Sequence, residues 1–298
     1  MELRGVLPPV PTPFGDDGEV AYDRLADNLE RWNRTDLNGY VVTGSTGECA
    51  TLTEREKLGL WEVARTRIPS GKRFIAGTGC ESTRETIALT RQAASIGAEA
   101  ALVVTPWYYK GAMKTRELVA HYQAVADASP IPILLYTFPQ CTGVVLEPAA
   151  VATLAAHPNI IGMKDSSEVI TVFAEYARVT PPSFQLIVGS ALTFYPALCL
   201  GARAAILALA NVAPQECAVV YRLFLDGKHE EAREHQLRLL PLGHAVGARF
   251  GIAGVKSAMD LRGYFGGAPR PPLLPLNVED VEALRRELLA ADLMSSDT

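Results

Sequence analysis

Short apolar runs alternate with longer stretches of helical period from the start of the chain to about residue 227. The runs predict eight strands: Gly5 to Val10, Gly39 to Thr43, Arg73 to Ala76, Ala100 to Val104, Pro132 to Tyr136, Ile160 to Lys164, Gln185 to Val188, and Ala204 to Ala208. Between them the period changes: Leu25, Leu29 and Trp32 recur on one helical face, and Thr53 to Glu56 and Ser82 to Glu85 read as capping boxes opening two further helices. Continuous apolar strands such as Ile133-Leu134-Leu135 suit a parallel sheet covered on both faces, and eight strand-helix units close naturally into a (β/α)8 TIM barrel. A doubly wound open sheet is the alternative, but no G-x-G-x-x-G follows the first strand. After residue 227 the strands stop and helices are predicted at about 229–249, 253–262 and 278–291, so residues 1–227 are expected to be the barrel and 228–298 a C-terminal helical extension packed on it.

Composition narrows the function classes. The net charge of -5 is dispersed, with no basic run longer than Arg285-Arg286, which argues against a nucleic-acid partner. The start lacks a signal-like segment, and the most apolar later stretch is broken by Arg203, Asn211 and Pro214, so a cytoplasmic protein without a membrane span is expected. Five scattered cysteines (49, 80, 141, 199 and 217) fit neither a disulfide framework nor a zinc cluster. None of the five histidines ends a predicted strand, so no metal site is expected and side chains or a bound organic cofactor are left to carry the chemistry.

In a barrel the reacting groups stand at the C-terminal ends of strands. Three places there are polar: Gly44-Ser45-Thr46-Gly47-Glu48 after strand two, Tyr136 ending strand five, and Lys164 ending strand six. Adjacent parallel strands lie about 4.8 Å apart, so level strand ends would bring Tyr136 and Lys164 together. A lysine desolvated by the barrel wall favours the free amine, which attacks a carbonyl, and the imine it forms accepts the electron pair of a breaking C3–C4 bond in a 2-oxo acid. Tyr136 would carry the proton of the C4 hydroxyl. The glycine-flanked loop offers hydroxyl and backbone donors for a carboxylate, while Glu48 would accept hydrogen bonds from neighbouring loop backbone, since a carboxylate beside the substrate's would repel it. Taken singly, a lysine after an apolar strand is more often a snorkelling cation, and the loop more often a plain turn. Their convergence on one barrel mouth is what points to catalysis.

At these residues the sequence resembles the dihydrodipicolinate synthase and N-acetylneuraminate lyase superfamily of Schiff-base barrels. The likeness covers nearly the whole chain, through Pro11-Thr-Pro-Phe14, Gly44-Ser-Thr-Gly-Glu48, Thr105-Pro-Trp-Tyr-Tyr109, Tyr136-Thr-Phe-Pro139, Gly162-Met-Lys-Asp165, Gly189-Ser190 and Ala205-Ile206. The resemblance implies that Lys164 is the imine lysine, Tyr136 the proton-transfer tyrosine, and Ser45 and Thr46 the carboxylate-binding and relay hydroxyls, beside Gly47. It makes Tyr108 a tyrosine lent across a dimer interface, sets the Ile206 backbone against pyruvate, and puts Gly189 on the pocket wall. It further implies a homotetramer built from two tight dimers, with a 2-oxo acid as the small-molecule partner and no cofactor.

Within that superfamily the likeness is expected to be greatest to 4-hydroxy-2-oxoglutarate aldolase, through Gly79-Cys-Glu-Ser-Thr83, Tyr108-Tyr-Lys-Gly111, Ala126 to Ile131, His157-Pro-Asn-Ile160 and the stretch from Arg249 to Pro272. The expected reaction is cleavage of 4-hydroxy-2-oxoglutarate to pyruvate and glyoxylate, with Thr137, Gln140 and Ser190 serving the distal carboxylate. Cys141 stands where the synthases place an arginine for the aldehyde substrate's carboxylate, which disfavours dihydrodipicolinate synthesis. Thr137 replaces an asparagine of many members. The alternatives are a 2-keto-3-deoxy sugar acid aldolase or dehydratase, and, from another class, a non-catalytic 2-oxo acid binding barrel. The turns after strands seven and eight lack the paired glycines of a phosphate cradle, which disfavours phosphorylated substrates and pyridoxal phosphate.

Overall fold

The structure, a computed structural model, describes residues 1–295. Eight parallel strands follow one another around a barrel: β1 (Gly5–Leu7), β2 (Gly39–Val42), β3 (Arg73–Gly77), β4 (Ala100–Val104), β5 (Ile133–Thr137), β6 (Ile160–Asp165), β7 (Gln185–Val188) and β8 (Ala204–Ile206). Each from β2 onward pairs with the next, and β8 pairs with β1. The seam between β1 and β2 closes through Asn38 N to Val6 O (2.9 Å), Val41 N to Pro8 O (3.0 Å) and Val10 N to Val41 O (2.9 Å). β1 is shorter than expected because Pro8 and Pro9 have no N–H to give the ladder, and for the same reason β5 begins after Pro132.

Alternation along the strands divides the apolar residues into two clusters. Leu7, Val41, Ile75, Leu102, Leu134, Tyr136, Ile187 and Ile206 fill the barrel interior, while Val6, Tyr40, Phe74, Val103, Leu135, Met163 and Leu186 pack outward under the helices. One irregularity interrupts the alternation. The pairing of β5 with β6 runs Ile133 with Ile160, then Leu134 with Gly162, so Ile161 is an extra residue and forms a β-bulge. Beyond the bulge Tyr136 pairs with Lys164, and Lys164 with Ile187, which puts both polar side chains on the interior row. Gly162 is required here, since a Cβ would lie 2.3 Å from Gln185 O on β7.

The helices begin where the capping residues indicate. Thr53 and Glu56 form a complete capping box at helix Glu54–Arg67, whereas at helix Thr83–Ile96 Ser82 accepts from Glu85 N at 3.1 Å. The segment after residue 227 folds back over the barrel mouth. Its first helix, His229–His244, contains Pro241 and passes into one π-helical turn, Ala245–Arg249, where an unbroken α-helix to 249 was expected. Helices Gly251–Leu261 and Val278–Ala290 complete it. No helix among the described residues is long and apolar enough to cross a membrane.

Candidate active site

A cavity of ≈ 410 Å³ lies between the barrel mouth and the C-terminal helices. Its floor and one wall come from strand ends and their loops: Ser45, Thr46, Tyr136, Lys164, Ser166 and Gly189. The opposite wall is made by Gly243, Val246, Gly247, Ala248 and Ile252, around the π-turn. Such turns recur at functional sites because they widen the helix locally. A larger groove of ≈ 740 Å³ lies outside, lined by Tyr22, Glu54, Arg55 and Leu58, and holds none of the strand-end residues.

Lys164 is buried at 4% exposure, with Nζ 4.2 Å from the centre of the Tyr136 ring. Desolvation lowers its pKa to about 7, only partly opposed by the Cys141 thiol, so near neutral pH a large fraction is the nucleophilic amine. Tyr136 is held well above the ordinary phenol range by burial, against the opposing influence of hydrogen bonds with Ser45 and Ser166. It therefore keeps its proton, and Ser45 lines the same cavity. Phe138 stacks on the Tyr136 ring, with centroids 5.9 Å apart, and fixes its plane.

The loop carrying Ser45 and Thr46 is bracketed by two non-glycine residues in the left-handed region, Thr43 (φ 60°) and Glu48 (φ 58°). Such conformations cost about 1–3 kcal/mol each and persist only where the surroundings impose them. Thr43 Oγ1 donates to Gly77 O at 2.9 Å and accepts from Trp61 Nε1 at 2.8 Å. Glu48 is clamped by the C-terminal segment: Lys256 Nζ lies 2.7 Å from Oε1, both side chains are fully buried, and Arg270 N donates to Oε2 at 2.8 Å. Glu48 does accept from loop backbone, as expected, but the loop belongs to the C-terminal segment, and the second partner of Glu48 is a buried cation the sequence did not suggest. Lys256 also donates to Ala268 O and stands 4.5 Å over the Phe14 ring, with the Arg270 guanidinium 4.3 Å from that ring.

Gly189 is a second position that admits only glycine. A Cβ there would lie 2.0 Å from Ser166 Oγ, 2.8 Å from Asp165 O and 2.9 Å from Lys164 Cε. Gly189→Ala should therefore push the lysine stem out of line and lower kcat/KM at least about tenfold, measured by pyruvate release. An activity within twofold of wild type would show that the stem has room.

Other sequence-derived candidates fall elsewhere. Gly47 does not line the cavity; its carbonyl accepts from Thr12 Oγ1 at 2.7 Å and anchors the loop. The Ile206 side chain belongs to the barrel-interior cluster with Tyr136. Tyr108 is 74% exposed, its N–H donating to Glu81 Oε2 at 2.7 Å and its ring edge-on to Tyr109, and it does not reach the cavity of its own chain. Thr137 is fully buried with Oγ1 accepting from Leu146 N, because the residue after an inward Tyr136 must point outward; it cannot serve a distal carboxylate. Gln140 and Ser190 do line the cavity. Sequence reasoning missed Ser166, Glu168, Lys256 and the π-turn wall. For the wall a signal existed, since Gly243, Gly247 and Gly251 recur every four residues along one helical face.

Residues 2–291 match the sequence profile of the dihydrodipicolinate synthetase family. The chain belongs to that family. Like its members it is a pyruvate-dependent carbon–carbon lyase of the Schiff-base type. It is 38% identical to 4-hydroxy-tetrahydrodipicolinate synthase of Archaeoglobus fulgidus, over 98% of this chain and 100% of that one, and 37% identical to the enzyme of that name from Methanothrix thermoacetophila, over 99% of each. Among solved structures, dihydrodipicolinate synthase from Aquifex aeolicus superposes with a TM-score of 0.93 at 32% identity, covering 98% of this chain and 99% of that one. The family membership expected from the motifs holds. The finer likeness to 4-hydroxy-2-oxoglutarate aldolase is not carried by these relatives, whose names are those of synthases.

Proposed function

We propose that Lys164 forms an imine with a 2-oxo acid and that the protein cleaves the acid to pyruvate and an aldehyde. The observation that carries this reading is the register pairing of a buried Lys164, its amine favoured by desolvation, with Tyr136, both facing the cavity that Ser45 also lines. The Lys164 amine attacks C2 and water leaves, giving a protonated imine flanked by the substrate carboxylate, which Ser45 and Thr46 receive. As the C3–C4 bond breaks, its electron pair moves into the imine to give an enamine. Tyr136 takes the C4 hydroxyl proton while passing its own to Ser45, which releases its hydroxyl proton in turn through Tyr108 of a second copy to water, and the aldehyde departs. Protonation of the enamine at C3 and hydrolysis then release pyruvate and restore the amine.

Tyr108 would complete this relay from a second copy of the chain, in a homotetramer of two tight dimers. Its outward ring supports that role, since it does not line the Lys164 cavity of its own chain. Tyr108→Phe and Lys164→Ala should each be nearly inactive alone, and should recover part of the activity when mixed and allowed to exchange subunits. Proven exchange without recovery would place the tyrosine outside the reaction.

The lining separates the candidate substrates by their distal ends. Lys164 is the only lysine among the lining residues and there is no arginine, with Cys141 occupying the place of the synthases' cation. The names of the relatives favour a condensation with aspartate semialdehyde, and the segments Gly79–Gly111 and Arg249–Pro272 favour 4-hydroxy-2-oxoglutarate. Both substrates bring a second carboxylate, which meets no cation here. A 2-keto-3-deoxy sugar acid brings hydroxyls instead, and suits this lining best. Pyruvate release from a panel of these acids tests the assignment, since a dehydratase releases none.

A further inference from the structure

Beyond β6 the chain turns through Glu168, whose φ of 64° lies in the left-handed region. A glutamate has no intrinsic reason to adopt that conformation, and it survives because its side chain is tied across the cavity rim. Ser190 Oγ, after β7, donates to Glu168 Oε1 at 2.8 Å and accepts from Leu192 N at 3.2 Å. Both residues line the cavity that holds Lys164. The neighbouring Gln140 donates one amide hydrogen to Ser167 O at 2.8 Å and keeps its second N–H and its Oε1. The Ser190 hydroxyl is therefore engaged within the protein. Glu168 leaves its second oxygen toward a substrate as an acceptor, beside the Gln140 carboxamide, which can donate or accept. A carboxylate is itself only an acceptor and carries the same charge as Glu168, so a dicarboxylate would meet repulsion there that no arginine in the lining offsets. A hydroxyl supplies a hydrogen for the Glu168 oxygen.

We infer that Glu168, braced by Ser190, is the specificity residue that selects 2-oxo acids with an uncharged, hydroxylated tail and rejects those with a second carboxylate. This rests on the imine reading above and names the substrate class of that same site. The ratio of kcat/KM for 2-keto-3-deoxygluconate to that for 4-hydroxy-2-oxoglutarate should exceed about ten in the wild-type protein. Glu168→Gln supplies a donor and removes the charge, and should lower that ratio at least tenfold. Glu168→Gly relieves the left-handed backbone, so it folds at least as well as wild type, and should lower the ratio similarly. A wild-type preference for the dicarboxylate, or ratios within twofold of wild type in both variants, would overturn the assignment of Glu168. Borohydride trapping of wild-type protein with pyruvate separates the two readings: an adduct on Lys164 with an unmoved ratio sinks only the role of Glu168, whereas no adduct removes the imine reading and this inference with it.

Discussion

Borohydride added together with pyruvate should fix one pyruvate-derived group on the protein, and the modified peptide should be the one that carries Lys164. Replacement of Lys164 by alanine should abolish trapping and lower kcat by a factor on the order of 10⁴ or more, equivalent to about 5.4 kcal/mol of lost transition-state stabilisation. The magnitude is large because no other lysine lines the cavity and could form the imine in its place. The pH dependence carries a definite sign. Desolvation lowers the Lys164 pKa to about 7, so above that pH the amine is mostly free, and below it the amine fraction falls about tenfold per unit. The trapping rate, followed from pH 5.5 to 9.5, should rise to a plateau with a midpoint near 7. A midpoint above about 9 would mean that the lysine is not desolvated, and labelling of any other residue would end the mechanism.

The second large effect concerns stability. Lys256→Met would leave Glu48 fully buried without its cation, and breaking one side of a buried pair costs about 3–5 kcal/mol. The measurement is the urea midpoint at unchanged m-value. The double variant Glu48→Gln, Lys256→Met removes both charges and should recover much of the loss, because the cost lies in the orphaned charge. It should still bind pyruvate more weakly, since the left-handed Glu48 end of the Ser45–Thr46 loop would be less firmly held. A single variant within about 1 kcal/mol of wild type would show that water reaches the pair.

The barrel was legible because four- to six-residue apolar runs separated by helical repeats admit few architectures. Tyr136 and Lys164 were legible because each is a polar residue closing such a run. Alternation alone would also have corrected Thr137, which cannot face inward if Tyr136 does. Other features lay beyond local pattern. Glu48 and Lys256 meet from distant parts of the chain, and in the sequence Lys256 is merely a lysine within an apolar helix. Glu168 reads as an ordinary loop glutamate until its backbone angle and its bond to Ser190 are seen. The Gly243, Gly247 and Gly251 spacing marks a smooth helical face, but not that the face closes over a barrel mouth.

The bulge at Ile161 has the widest reach of these features. Counting from the outward-facing Ile160, strict alternation would turn Gly162 and Lys164 outward and Met163 inward; the extra residue reverses that parity for everything downstream. The lysine is therefore aimed by a residue count, and Ile161 contributes to the chemistry by occupying a place in the strand. Changes that keep the bulge leave the aim intact, whereas a change that straightened the strand without removing a residue would deliver the same amine to the helical layer and a methionine to the active site. The stretch from Ile160 to Lys164 can drift in composition only as long as five residues keep their bulge, because length and bulge set the lysine's direction together.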